Sequence, residues 1–242
     1  SATEFGPEEW FTTLQKAADV EGFLRRTEGI LARHDPGRRI GIILDEWGTW
    51  YDVEPGTNPG FLFQQNTMRD ALVAGLSLSI FHNHADRLHM ANIAQTVNVL
   101  QAMVLTEGAK MLVTPTYHVF EMFNVHQDAT LLPTDVACAD YAVGTGKLPQ
   151  ISASASRDAE GTVHLSLCNL HHGDAAEVVC ELRGMGATEV AGRVLAGDGM
   201  NAHNTFEAPD AVTPEAFAGA ALKEGDLRVT LPAHSVAVLA IR

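Results

Sequence analysis

Cysteine is scarce in this 242-residue chain: only Cys138, Cys168 and Cys180 occur, an odd number with no CxxC pair. That argues against a disulfide framework and a structural zinc site. It favours free thiols in a reducing compartment, hence a cytoplasmic location. Basic residues are also few. Sixteen Lys and Arg stand against 30 Asp and Glu, a formal net charge of −14. Such a surface argues against nucleic acid or an anionic membrane as partner and suits neutral substrates. No apolar run of about 18 residues occurs, so no membrane-spanning helix is expected. No signal peptide is visible, and the chain opens at Ser1 without Met, so the sequence is expected to begin partway through a longer protein.

The most informative stretch runs from Ile40 through Leu44 into Asp45, Glu46, Trp47, Gly48, Thr49, Trp50 and Tyr51. Continuous Ile and Leu without alternation is the pattern of a strand covered on both faces, as in a parallel sheet wrapped by helices. An acid at the C-terminal end of such a strand sits where α/β barrels place their chemistry. Aromatic rings beside a carboxylate suit a sugar, whose C–H faces pack on rings while its hydroxyls form hydrogen bonds. The residues therefore point to a glycosidase carboxylate. Successive strand residues face opposite sides, so Asp45 and Glu46 are not expected to act together in one pocket. A glycosidase of the usual kind needs two carboxyls flanking one bond, roughly 5–5.5 Å apart when retaining and roughly 6.5–9.5 Å apart when inverting. No other apolar strand-like run in this chain ends in a Glu in the same manner, so the partner must lie elsewhere.

Around this stretch the periodicity predicts a helix over residues 7–34, opened by Pro7, Glu8 and Glu9 and weakened at Gly22. A Pro/Gly/Asn-rich loop covers 52–59, and a second helix is expected over about 64–81. The run from Leu88 to Gln95 reads as a second buried strand, and Thr114-Pro115 opens a helix over 116–123. This order fits the last portion of a (β/α) barrel, although two strands cannot close a barrel of eight. After about residue 125 the texture changes. Short alternating runs at 150–155, 163–170, 177–182, 189–195, 226–231 and 235–241 are separated by Gly, Asp, Asn and Pro turns, the signature of an antiparallel β-sandwich.

The segment from Leu44 to Gly60 closely resembles the α-L-arabinofuranosidases of glycoside hydrolase family 51. The likeness continues through His84-Ala85-Asp86-Arg87, Met90 to Gln95, Asn98-Val99-Leu100 and Thr114 to Phe120, and so covers most of residues 1–133. The resemblance implies a (β/α)8 TIM barrel joined to a C-terminal, jelly-roll-like β-sandwich. Residues 1–124 would be the C-terminal part of the barrel and residues 125–242 the sandwich. It implies a retaining hydrolase that releases terminal non-reducing α-L-arabinofuranosyl groups from arabinose-containing oligosaccharides or polysaccharides, with no metal or organic cofactor. It puts Glu46 in the role of nucleophile, Gln95 in hydrogen bonds to sugar hydroxyls, and Trp50 in an aromatic wall on the leaving-group side. The family's acid/base is a Glu in an Asn-Glu motif, which this sequence lacks. The N-terminal remainder of the barrel is thus an implied partner, and a homo-oligomer is implied as well.

Plainer readings compete at several positions. On sequence alone Glu46 could be a structural ion-pair member, Gln95 a satisfied polar group and Trp50 core. His82-Asn83-His84 is spaced wrongly for a shared helix face and reads as a polar helix end rather than a metal pair. His171-His172 reads as a solvated turn, and Tyr117, Phe120 and Phe123 as core. Two other functions stay open: an endo-acting glucanase or xylanase of the same clan, and a non-catalytic fragment that binds carbohydrate or a partner subunit.

Overall fold

The helical stretch expected over residues 7–34 divides in two. In the computed structural model, which describes residues 1–242, α1 spans Pro7–Ala18 and α2 spans Val20–His34. The break lies at Asp19, where the Gly22 amide bonds the Asp19 carbonyl in a tight turn. The division follows burial. Trp10, Phe11 and Leu14 of α1 are buried, whereas α2 buries Leu24 alone.

Strand β1 (Ile42–Trp47) leads through a long loop to α3 (Met68–Asn83), and β2 (Leu88–Ile93) follows. The two strands pair in parallel as a two-stranded sheet. Helix α3 starts later than periodicity suggests because Thr67 is its N-cap. The Thr67 hydroxyl accepts from the Arg69 amide, and the Thr67 amide donates to Asp70 Oδ2 at 2.8 Å, a capping box. Its sides are buried all round from Met68 to Leu76, so it behaves as a core helix rather than an amphipathic one. A hairpin that periodicity did not reveal, β3 (Val104–Glu107) with β4 (Lys110–Val113), precedes α4 (Pro115–Phe123), which is capped by Thr114.

The remainder is an antiparallel β-sandwich, as the short alternating runs predicted. Strands β5 (Thr130–Leu132), β6 (Asp140–Val143), β7 (Gly146–Pro149), β8 (Ile151–Arg157) and β9 (Val163–Asn169) come first. Then follow β10 (Ala176–Glu181), β11 (Val190–Leu195), β12 (Glu215–Ala216), β13 (Ala220–Lys223), β14 (Asp226–Leu231) and β15 (Ser235–Ile241). One sheet has the order β12-β11-β15-β9-β8-β5, the other β10-β14-β13, and β6 pairs with β7 as a separate hairpin. Leu165, Leu167, Ala237, Leu239 and Ile241 meet Leu227, Val229 and Leu231 between the sheets.

At its centre the outer face of the larger sheet is not solvated. Helix α3 lies across β8, β9 and β15, and every residue of β9 is buried. Small side chains on that face, Ser154, Ser156, Ser166 and Cys168, let the helix approach closely. At Gly75 an added Cβ would stand 2.7 Å from the Cys168 sulfur, so only glycine fits there. Trp10 of α1 is fully buried, and its indole N–H donates to the Leu170 carbonyl at 2.9 Å. One continuous core therefore joins α1, α3 and α4 to Cys168, Leu170, Val236 and Val238 of the sandwich.

Two local expectations change. Tyr117 is 37 % exposed rather than core, because only Val119, Phe123 and their neighbours on α4 face inward, while Phe120 packs partly buried against Trp47. His171 and His172 are not freely solvated. The His171 Nδ1 accepts from the Gly173 and Asp174 amides, and the Tyr141 hydroxyl meets His172 Nδ1 at 2.9 Å.

Candidate active site

Three sequence-predicted residues, Glu46, Trp50 and Gln95, fall at the C-terminal ends of the paired strands β1 and β2. Glu46 is the penultimate residue of β1, Trp50 lies three residues beyond that strand, and Gln95 lies two beyond β2. All three are exposed, Trp50 to 67 %. Parallel pairing puts both strand ends on the same edge, which is where α/β folds gather functional side chains.

A β-bulge shapes this edge. Leu44 lies opposite Ala91 and Trp47 opposite Ile93, so Asp45 and Glu46 together face the single residue Asn92. The extra residue resets the alternation. Leu44 and Trp47 both join the helical core, Trp47 edge-on to Phe81 at 5.2 Å and stacked with Phe120 at 5.9 Å. Asp45 and Glu46 are both exposed, so the strict alternation that would set them on opposite faces does not carry across the bulge.

The face of β1 and β2 opposite the helices is bare. Ile43 and Met90 are register partners there, 54 % and 53 % exposed. Soluble proteins rarely leave paired β-sheet apolar side chains in water, and both outer edges of this two-stranded sheet are also unpaired.

Behind the strand ends stands a buried polar network that sequence reasoning missed. Thr49 is buried; its hydroxyl donates to Asp70 Oδ1 at 2.7 Å, and its amide donates to Gln101 Oε1 at 3.0 Å. Gln64 Nε2 donates to the Thr49 carbonyl and hydroxyl, and Gln64 Oε1 accepts from the Tyr51 amide at 2.8 Å. Gly48, at φ +131°, makes the turn out of β1. Asp70 is fully buried, and burial pushes its carboxyl above the ordinary range, opposed by Arg69 and by the bonds from Thr67 and Thr49. The Arg69 guanidinium is held between the rings of Phe5 at 3.7 Å and Tyr51 at 4.0 Å, and it donates to the Ser1 carbonyl at 2.8 Å. Burial, followed by the Asp70 charge, raises the Tyr51 hydroxyl well above its usual range. The one sequence signal for this network was the Thr67-x-x-Asp70 capping pattern. Nothing in the spacing of Gln64 or Gln101 marked them.

The remaining titratable candidates have structural partners. His82 Nδ1 meets the Ser154 hydroxyl at 3.1 Å, and His84 Nδ1 meets Glu28 at 2.7 Å, so the two histidines diverge. His126 bridges the Ser156 and Ser166 hydroxyls at 2.7 and 2.6 Å. A buried pair, Arg87 with Asp35 at 2.8 Å, ties the end of α2 to the start of β2, and the Ile40 amide, then Arg87, hold the Asp35 carboxyl below its ordinary range.

Comparison with known proteins adds to this geometry. Residues 45–235 match the model of the alpha-L-arabinofuranosidase C-terminal domain. The chain is 44 % identical, over its whole length, to 47 % of an intracellular exo-alpha-L-arabinofuranosidase of Bacteroides ovatus. Among solved structures, a family GH51 arabinofuranosidase from Xanthomonas axonopodis pv. citri superposes on all of this chain and 49 % of its own, with a TM-score of 0.98 at 42 % identity. A family 51 alpha-L-arabinofuranosidase from Bifidobacterium longum superposes on 96 % of it and 49 % of its own chain, with a TM-score of 0.80 at 25 % identity. The chain thus spans about half the length of the relatives it matches.

Proposed function

Since this chain belongs to the alpha-L-arabinofuranosidase C-terminal domain family, as the C-terminal portion of a glycoside hydrolase family 51 enzyme, we propose that the whole protein releases terminal non-reducing α-L-arabinofuranosyl groups from arabinose-containing glycans with retention of configuration. The observation that carries the proposal is the exposed Asp45-Glu46 bulge at the C-terminal end of β1, beside the parallel β2 that leads to Gln95. The named activity of the relatives supports the exo-acting arabinofuranosidase over an endo-glucanase or xylanase.

In this reading residues 1–124 are the last part of a (β/α)8 barrel and residues 125–242 its C-terminal sandwich. The N-terminal portion covers Ile43 and Met90, pairs the open strand edges and brings the acid/base carboxyl opposite Glu46. Ionised Glu46 attacks the anomeric carbon as the acid protonates the departing glycosidic oxygen. The resulting glycosyl–Glu46 ester is then hydrolysed by water, from which the same partner, now a base, removes a proton. Gln95 offers an amide donor and a carbonyl acceptor to the sugar hydroxyls, and Trp50 offers an apolar face toward the leaving group. The protein acts inside the cell, like the relatives named intracellular, and assembles as a homo-oligomer.

The test is a mechanism-based trap, a fluorinated or epoxide-type arabinofuranosyl reagent, applied to the complete enzyme and followed by peptide mapping. The label is expected on Glu46, and Glu46→Gln should lower kcat by about 10⁴-fold or more. A label on another residue sinks the assignment. The 242-residue chain alone should release nothing from an aryl α-L-arabinofuranoside, and turnover by it would refute the need for a second carboxyl from outside.

A further inference from the structure

We infer that Gln101 is a positioning residue for this hydrolysis, clamping the strand ends that carry Glu46 and Gln95 at a fixed separation. The inference rests on the proposed function above and adds to it a residue that touches no substrate.

Gln101 is fully buried, and both its amide protons and its side-chain oxygen are engaged at one junction. Its Oε1 accepts the Thr49 amide at 3.0 Å, and its Nε2 donates to the Asp70 carbonyl at 2.8 Å and to the Thr116 hydroxyl at 3.2 Å. Its backbone amide donates to the Ala94 carbonyl at 2.9 Å, and the Ala94 amide donates to the Trp47 carbonyl at 2.9 Å. One residue therefore grips both chains as they leave the parallel sheet: β1 through Thr49 and β2 through Ala94, the residue before Gln95. It also anchors both to the first turns of α3 and α4. The fit is close. A Cβ added to Gly48 would stand 3.2 Å from Gln101 Oε1 and 3.4 Å from the Ala94 carbonyl.

The chemistry explains why an amide suits this place. Its oxygen must face an N–H and its nitrogen must face a carbonyl. An ionised carboxylate of the same shape meets the Thr49 amide but has no proton for the Asp70 carbonyl. A protonated carboxyl can do both. Loss of the side-chain bonds leaves the backbone bonds through Ala94 in place but frees the Thr49 segment beyond β1 from Gln101 and from the first turns of α3 and α4. Misplacement of reacting groups by about 1 Å can lower a rate about a hundredfold.

The test uses the complete enzyme with an aryl α-L-arabinofuranoside, at a temperature below the unfolding transition of every variant. Gln101→Leu is expected to lower kcat by about tenfold to a hundredfold while KM stays within about threefold. Gln101→Glu provides a second reading within one folded protein. Its kcat relative to wild type should rise as the pH falls and the introduced carboxyl takes up a proton. A kcat unchanged in Gln101→Leu, or, should that variant not fold, a pH-independent ratio for Gln101→Glu, overturns the inference. The trap applied to unsubstituted enzyme reports separately on the underlying reading: a label on Glu46 together with an unchanged Gln101→Leu rate removes only the role of Gln101.

Discussion

Gly75 offers a sharp test of how α3 sits on the sandwich. In an exposed helix interior, Gly→Ala stabilises by about 1 kcal/mol, because alanine loses less backbone freedom on folding. Here the new Cβ would stand 2.7 Å from the Cys168 sulfur and 3.2 and 3.6 Å from the Val236 methyls. Ordinary contact needs about 3.5–4.0 Å, so the overlap is close to 1 Å. Cys168 and Val236 are both fully buried and have nowhere to retreat. Overpacking of this kind costs about 1–3 kcal/mol, which cancels the helical gain and leaves Gly75→Ala between neutral and about 2 kcal/mol less stable. Cys168→Ala removes the clashing sulfur. In its presence Gly75→Ala should become neutral or stabilising, a coupling of at least about 1 kcal/mol. Urea unfolding of the four proteins, followed by far-UV circular dichroism at low concentration, measures this as shifts of midpoint at constant slope. Full helical stabilisation by Gly75→Ala alone, with no coupling to Cys168, would refute the close approach.

Thr49→Val keeps the shape of the side chain but removes the hydroxyl that donates to Asp70 at 2.7 Å, leaving a buried carboxyl oxygen without its partner. A loss of about 1–3 kcal/mol is expected in the same unfolding assay, and a neutral variant would show the bond to be dispensable. The histidines between α3 and the sandwich give a pH signature. Burial pushes His126 down to about 3, with the His82 and His164 charges adding to the effect, and burial pushes His82 down to about 4. Both rings stay neutral in the fold but gain a proton in the unfolded chain below about pH 6.5, so their contribution is complete above that pH and drains away as the pH falls. Each should impose a slope of about 1.4 kcal/mol per pH unit between about pH 6 and 4.5. Subtracting the unfolding free energies of His126→Gln from those of wild type isolates one histidine; a flat difference over that range contradicts the burial argument.

Much of this molecule was legible in one dimension because the signals were local. Strand-length apolar runs, alternating segments between Gly and Asp turns, and the Thr114-Pro115 cap each reflect forces acting within a few residues, and β9, β14 and β15 formed close to where alternation put them. The resemblance at residues 44–60 and 84–95 picked out Glu46, Trp50 and Gln95, and the fold brings the segments that carry them to one sheet edge.

Other features were decided only by distant contacts. The bulge that exposes both Asp45 and Glu46 arises from pairing with β2, and no pattern within β1 announces a register shift. The end of α1 at Asp19, the buried outer face of β9 and the need for glycine at 75 all follow from what packs on what. Gln64 and Gln101 read as ordinary polar residues until the chain folds them behind Thr49, where water is excluded and each donor must find its acceptor. The amino-acid order thus determined which segments become strands and helices and where the candidate carboxylate lies. Tertiary packing decided which faces are covered, because burial and hydrogen-bond satisfaction are settled between residues far apart in the chain.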